Sequence, residues 1–186
     1  MDHKKKKQNY LLMEIISAIA SINAFILAFL ISRKKNKEIN DKILIAWVLN
    51  FAFHFSIPFC IENQLFFHPS CWGFVMGIFI VAHAPFLFVY TSSLSNREFK
   101  INFRNFYHFG FVLVFIASIV PFLTLSPDAR MNLVQEKQNL SYYILLPMLS
   151  LLLIRVYFLS RTIVIVFLHQ YHVKQAFSYE SKINLN

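Results

Sequence analysis

Five uninterrupted apolar stretches, at residues 10–31, 43–61, 72–94, 106–125 and 142–168, decide the solvent in which this chain folds. About 20 such residues in a helix cross the hydrocarbon core of a bilayer, and each stretch has that length. Within them the apolar residues do not alternate with polar ones, so no helix or strand could keep a wet face. In lipid, backbone N–H and C=O groups are satisfied only in helices or closed barrels. Continuous stretches of this length, rather than short alternating ones, select helices. With 57% hydrophobic residues and a mean hydropathy of +0.52, the composition agrees. The expected fold is all-α: a polytopic transmembrane bundle of about five spanning helices, forming one domain over residues 1–186.

The formal net charge of +9 would suggest nucleic acid in a soluble protein. Here Lys and Arg gather between the apolar stretches, where they set orientation and meet lipid headgroups. The successive non-spanning segments carry 4, 5, 0, 3, 2 and 2 of them. Placing the first loop inside leaves ten within and six outside, which predicts an outside N-terminus and a cytoplasmic C-terminus. Lys4 to Lys7 open the chain as a signal peptide would. The following stretch is long enough to span, lacks a small-residue cleavage site and ends in Arg33-Lys34-Lys35, which predicts a retained helix.

Tyr10, Trp47, Trp72, Tyr90, Tyr107, Tyr142 and Tyr143 lie near stretch ends, where amphipathic rings are expected at headgroup level. Ala20, Ala24 and Ala28 recur every four residues, as do Gly73 and Gly77. Such spacing brings helix backbones close together, and packing within one chain is the expectation over a homodimer face.

Polar groups inside the spans cost free energy in lipid and mark a bundle interior or a cavity. At about 1.5 Å per residue, Asn23, Asn50, His83 and Arg155 share one level near the midplane. Glu14 lies too near the outer surface to pair with Arg155. A structural hydrogen-bond network is the simpler account of this layer, and a ligand or ion pocket the sharper one. Pro85, two residues beyond His83, is the candidate kink or hinge, and Pro58, Pro121 and Pro147 interrupt three other spans. Cys60 and Cys71 flank the loop 61–70, a candidate disulfide if neighbouring antiparallel helices bring them together. His169 and His172 stand one turn apart without a third ligand nearby, which reads as a solvated helix face. No catalytic triad, metal-binding signature, phosphate loop or dinucleotide fingerprint occurs, so neither enzyme activity, metal nor cofactor is expected.

Several short stretches, in order along the whole chain, resemble the N-terminal membrane region of bacterial membrane-anchored regulators with a C-terminal AraC-type helix-turn-helix domain. The run 40–47, Asn-Asp-Lys-Ile-Leu-Ile-Ala-Trp, is similar to that family's opening of its second helix. His83-Ala84-Pro85-Phe86-Leu87-Phe88-Val89-Tyr90 followed by Ser93-Leu94 resembles its Gly-Pro-Leu-Leu-Tyr-x-Tyr-Val segment, with Ala84 in place of Gly. Tyr107-His108-Phe109 resembles the start of its fourth helix, with Gly110-Phe111 where the family has an apolar residue and Pro. Phe177-Ser178-Tyr179-Glu180 and Ile183-Asn184-Leu185 resemble the stretch before two further helices. The resemblance implies a truncated form: the sensing and anchoring half of such a regulator, in the bacterial inner membrane, without the final helices and DNA-binding domain.

The expected function is thus a membrane-embedded sensor and anchor module. Its partners would be membrane lipids, a small apolar or extracytoplasmic ligand and a second copy, with no nucleic acid bound by this chain alone. The alternative is a small transport or channel component with a water-filled path through the polar layer.

Overall fold

The structure, a computed structural model, describes residues 2–63, 72–96, 99–100, 107–135 and 142–183. Helices account for nearly all of them, and no strand occurs among the described residues. We label them α1 (Asp2–Ser32), α2 (Ile39–Glu62), α3 (Trp72–Ser95), α4 (Gly110–Leu123), α5 (Pro127–Gln135) and α6 (Tyr142–Ile183). Four are long and apolar enough to cross a membrane, over Leu12–Ser32, Ile39–Ile61, Gly73–Ser95 and Tyr143–Gln175, with α4 a shorter apolar helix beside them. The chain is a multi-pass helical membrane bundle.

The termini of these helices show how lipid-spanning backbone is closed off. Beyond Ser32, the Arg33 N–H donates to the carbonyls of Phe29 and Leu30, and the Lys34 N–H to Ile31, tightening the last turn. The next helix begins at Ile39, directly after Glu38, whose N–H donates to Asp41 Oδ2 at 2.9 Å. Asp41 in turn holds Lys34 Nζ at 2.7 Å, so one carboxylate ties the end of α1 to the start of α2. Serine and threonine hydroxyls inside the spans fold back on their own helices: Ser56 onto Phe53 O, Thr91 onto Leu87 O and Ser92 onto Phe88 O. This keeps isolated hydroxyls compatible with an apolar surround.

Packing runs from α1 onto α2, from α2 onto α3, and from α3 onto both α6 and α4, which also touch each other. The core lies around α3. Val81, Phe115, Ile119, Ile154 and Phe158 are almost fully enclosed, with Ile43, Phe88 and Val89 around them. His108, in the short turn Tyr107–Phe109 before α4, meets the edges of Phe88 and Phe158 at 4.6 and 5.8 Å.

Of the small residues singled out in the sequence, Gly77 and Ala28 pack within the chain. A Cβ on Gly77 would lie 2.6 Å from Phe115 Cζ, so this glycine is what lets α4 approach α3, whereas Gly73 has open space. Ala28 is buried on the side of α1 that meets α2, where Ser21 donates its hydroxyl to Ala52 O at 2.8 Å.

Several features differ from the sequence reading, beginning with α1, which starts at Asp2 rather than near residue 10. The fourth span, expected at 106–125, is α-helical only over Gly110–Leu123, opened by the turn at 107–109. The fifth continues to Ile183 rather than stopping near residue 168. Hydropathy falls there, but no Gly or Pro follows Pro147 in it, so nothing ends the helix. Finally, the short helix α5 was not anticipated. Its signal was present in Ser126-Pro127-Asp128: proline suits a first helical turn, and Ser126 Oγ accepts the Ala129 N–H at 3.3 Å.

Candidate functional site

Four side chains of α2 and α3 form a hydrogen-bonded cluster in the middle of the bundle. Trp47, Asn50 and His54 recur on α2 at spacings of three and four, so they share one helical face. That face meets α3 at His83. The Trp47 indole N–H donates to His83 Nδ1 at 3.2 Å, and Asn50 Nδ2 reaches the same nitrogen at 3.0 Å. Asn50 Nδ2 also donates to Phe79 O at 3.1 Å, while His54 Nδ1 stands 3.2 Å from His83 Nε2. Phe51 stacks on the His83 ring at a centroid distance of 4.0 Å.

This geometry determines the protons. Phe79 O is an acceptor only, which requires Asn50 to present its NH2 on this side. Two N–H groups then converge on His83 Nδ1, so that atom carries a lone pair. A neutral His83 has its proton on Nε2 and donates it to His54 Nδ1, leaving the His54 proton on its own Nε2. The cluster is a chain of neutral donors and acceptors running Trp47 to His83 to His54, with Asn50 bracing it against the α3 backbone. Within the membrane such bonds are each worth about 0.6 kcal/mol on average.

Beside the cluster, between α2, α3 and α6, lies an open recess of about 240 Å3 lined by Trp47, Ile80, His83, Ala84, Leu87, Arg155 and Leu159. Arg155 carries its one full charge. It is exposed and makes no hydrogen bond or ion pair among the described residues. In a span of this apolar character, an unpaired guanidinium is unusual and costly. Pro85, buried in α3 just above, cannot donate a backbone N–H to the Val81 carbonyl, which loosens the helix where His83 and Ala84 face the recess.

Of the layer expected from depth, Asn50 and His83 are in direct contact and Arg155 borders the same recess as His83. Asn23 stands apart, exposed on α1, which packs on α2 rather than on α3 or α6. Depth along the membrane normal cannot tell which way round a helix a side chain points, and Asn23 points away. Two members were missed. Trp47, placed at headgroup level from its position near a stretch end, turns its N–H inward to His83. His54 was not singled out, although its position one turn after Asn50 was the available signal. Cys60 is half-buried with a free thiol, and Cys71 lies outside the described residues. His169 and His172 are exposed near the C-terminal end of the apolar span Tyr143–Gln175 of α6, and no group of three metal-binding side chains gathers among the described residues. Comparison with family models, with curated proteins and with solved structures finds no match to this chain.

Proposed function

We propose that this chain is a sensing and anchoring module of the bacterial cytoplasmic membrane, the membrane half of a transcriptional regulator of the AraC-type helix-turn-helix class. In this reading it performs no catalytic step and contacts no nucleic acid itself. Its ligand is a small amphiphile that enters the recess between α2, α3 and α6 from the lipid side and places an anionic or strongly accepting group against Arg155.

The single observation that carries the reading is the guanidinium of Arg155 on α6, which has no partner among the described residues and is set beside a cluster that joins α2 to α3. A ligand bridging the two would draw α6 toward the α2–α3 pair. Helix α6 has 42 residues, about 63 Å at the usual rise, roughly twice the hydrocarbon thickness. A shift at Arg155 would thus be transmitted along one continuous helix to its far end. The internally satisfied cluster and the largely apolar recess favour this over a water-filled transport path.

The test is Arg155→Leu introduced at the native locus. The reading expects a transcript profile matching that of a deletion strain while the protein remains at wild-type level in the membrane. An unchanged profile would refute it. In liposomes the wild-type protein should pass no ions or small solutes, and measurable flux would favour transport instead.

A further inference from the structure

Helix α1 has two opposite faces, and among the described residues only one is occupied. Ser21 and Ala28 are buried against α2. At 100° per residue, Asn23 points about 200° away from Ser21, directly outward from the bundle. It is exposed, and it makes no hydrogen bond to the cluster among the described residues. Its depth is near the middle of the span Leu12–Ser32, where no water and no headgroup can satisfy a carboxamide.

The residues in line with Asn23 follow a regular order. Leu12, Ile16, Ile19, Asn23, Ile26 and Leu30 are separated by four, three, four, three and four residues, which is the 3.5-residue repeat of a coiled-coil seam. The five apolar members are each 50% to 60% exposed. We infer that this seam is a homodimer interface, in which α1 pairs in parallel with α1 of a second copy and the two Asn23 side chains hydrogen-bond to each other across the two-fold axis.

Three properties select a second copy of this chain as the occupant. A carboxamide is its own complement: each Nδ2–H donates to the opposite Oδ1, so two copies satisfy one another with no other group needed. All copies insert in the same orientation, so the pairing is parallel and brings each Asn23 to the level of its counterpart, as a two-fold interface requires. The seam is also long enough. Over about 30 Å of helix, closing it buries on the order of 1,000 Å2 in total, where specific interfaces begin. A single asparagine within an apolar seam is moreover what fixes register and strand number in such pairs. The small residues Ser21 and Ala28 do not form this interface, because they are buried against α2.

The proposal is independent of the ligand reading above, since no residue of the recess takes part. It is tested with the full chain in zwitterionic vesicles, in a Cys60→Ser, Cys71→Ser background carrying one new cysteine at a time. Oxidative cross-linking should yield dimers from Ile19→Cys and Ile26→Cys at least about tenfold more readily than from Ile22→Cys and Phe29→Cys, which are equally exposed but lie off the seam. Donor–acceptor energy transfer between labelled copies should show two-component association. Asn23→Leu removes both hydrogen bonds of the pair and should weaken association roughly eightfold or more, from about 0.6 kcal/mol for each intramembrane bond, and Asn23→Gln should restore most of it. Equal cross-linking at all four positions, a monomer at every protein-to-lipid ratio, or unweakened association of Asn23→Leu would each overturn the proposal.

Discussion

The Nδ1 atom of His83 lies 3.2 Å from the indole nitrogen of Trp47, across the α2–α3 interface. Because indole only donates, the contact assigns the His83 lone pair, and with it the proton pattern of the whole cluster. Nitrogen NMR of the protein labelled at histidine should therefore show His83 neutral and protonated at Nε2. A proton on Nδ1 would contradict the geometry. Asn50→Leu removes one of the two donors while leaving Trp47 in place. It should lower the unfolding free energy by about 0.5–2 kcal/mol in detergent titrations.

The close approach of Gly77 to Phe115 makes a second prediction. Phe115 is 2% exposed, so its ring has nowhere to move when a methyl is added 2.6 Å away. Gly77→Ala should cost about 1–3 kcal/mol, typical of overpacking. Gly73→Ala, with open space around it, should be neutral, and Phe115→Leu combined with Gly77→Ala should recover part of the loss. Thermal unfolding of the three variants checks this; equal effects at the two glycines would contradict it.

Removing Arg155 should stabilise the bundle. No partner among the described residues is lost, and the guanidinium no longer has to be accommodated in the span, a burden of about 2.5–3.5 kcal/mol on insertion scales. Arg155→Leu should unfold at equal or higher denaturant than wild type. Destabilisation would mean that the charge is held by the protein itself.

The junction of α1 and α2 should respond to high pH. The hydrogen bond from the Lys34 ammonium to the Asp41 carboxylate holds the Lys34 pKa above its ordinary value. The contribution of Lys34 is complete below about 10.4 and is lost as pH rises through its folded value. The protection factor of the Glu38 amide, its exchange relative to the intrinsic rate at each pH, should therefore be constant through neutral pH and fall at the alkaline end. Asp41→Asn should remove that alkaline fall; an unchanged fall would assign it to another group. Lys34 is at the surface, so the effect is local.

Much of the bundle was legible along the chain. Apolar length marks a span because lipid offers the backbone no alternative partner, and the starts of α2, α3 and α6 were placed within four residues. Helix ends beyond the apolar stretches were less legible: the last part of α6 and all of α5 depend on propensity and capping, which hydropathy does not register. Of the site, the residue types and their depth were readable. Asn50 and His83 could be set on one level, but so could Asn23.

The sequence by itself determined that this protein is a helical membrane bundle with costly polar groups near its middle, because those properties follow from length and polarity alone. Only the tertiary structure decided which of those groups meet. Partner choice depends on the rotation of each helix about its own axis, set by packing such as Gly77 beneath Phe115 and Ser21 against Ala52. That rotation turns Trp47, Asn50 and His54 toward His83, leaves Arg155 beside them with no partner among the described residues, and sends Asn23 to the opposite side of α1.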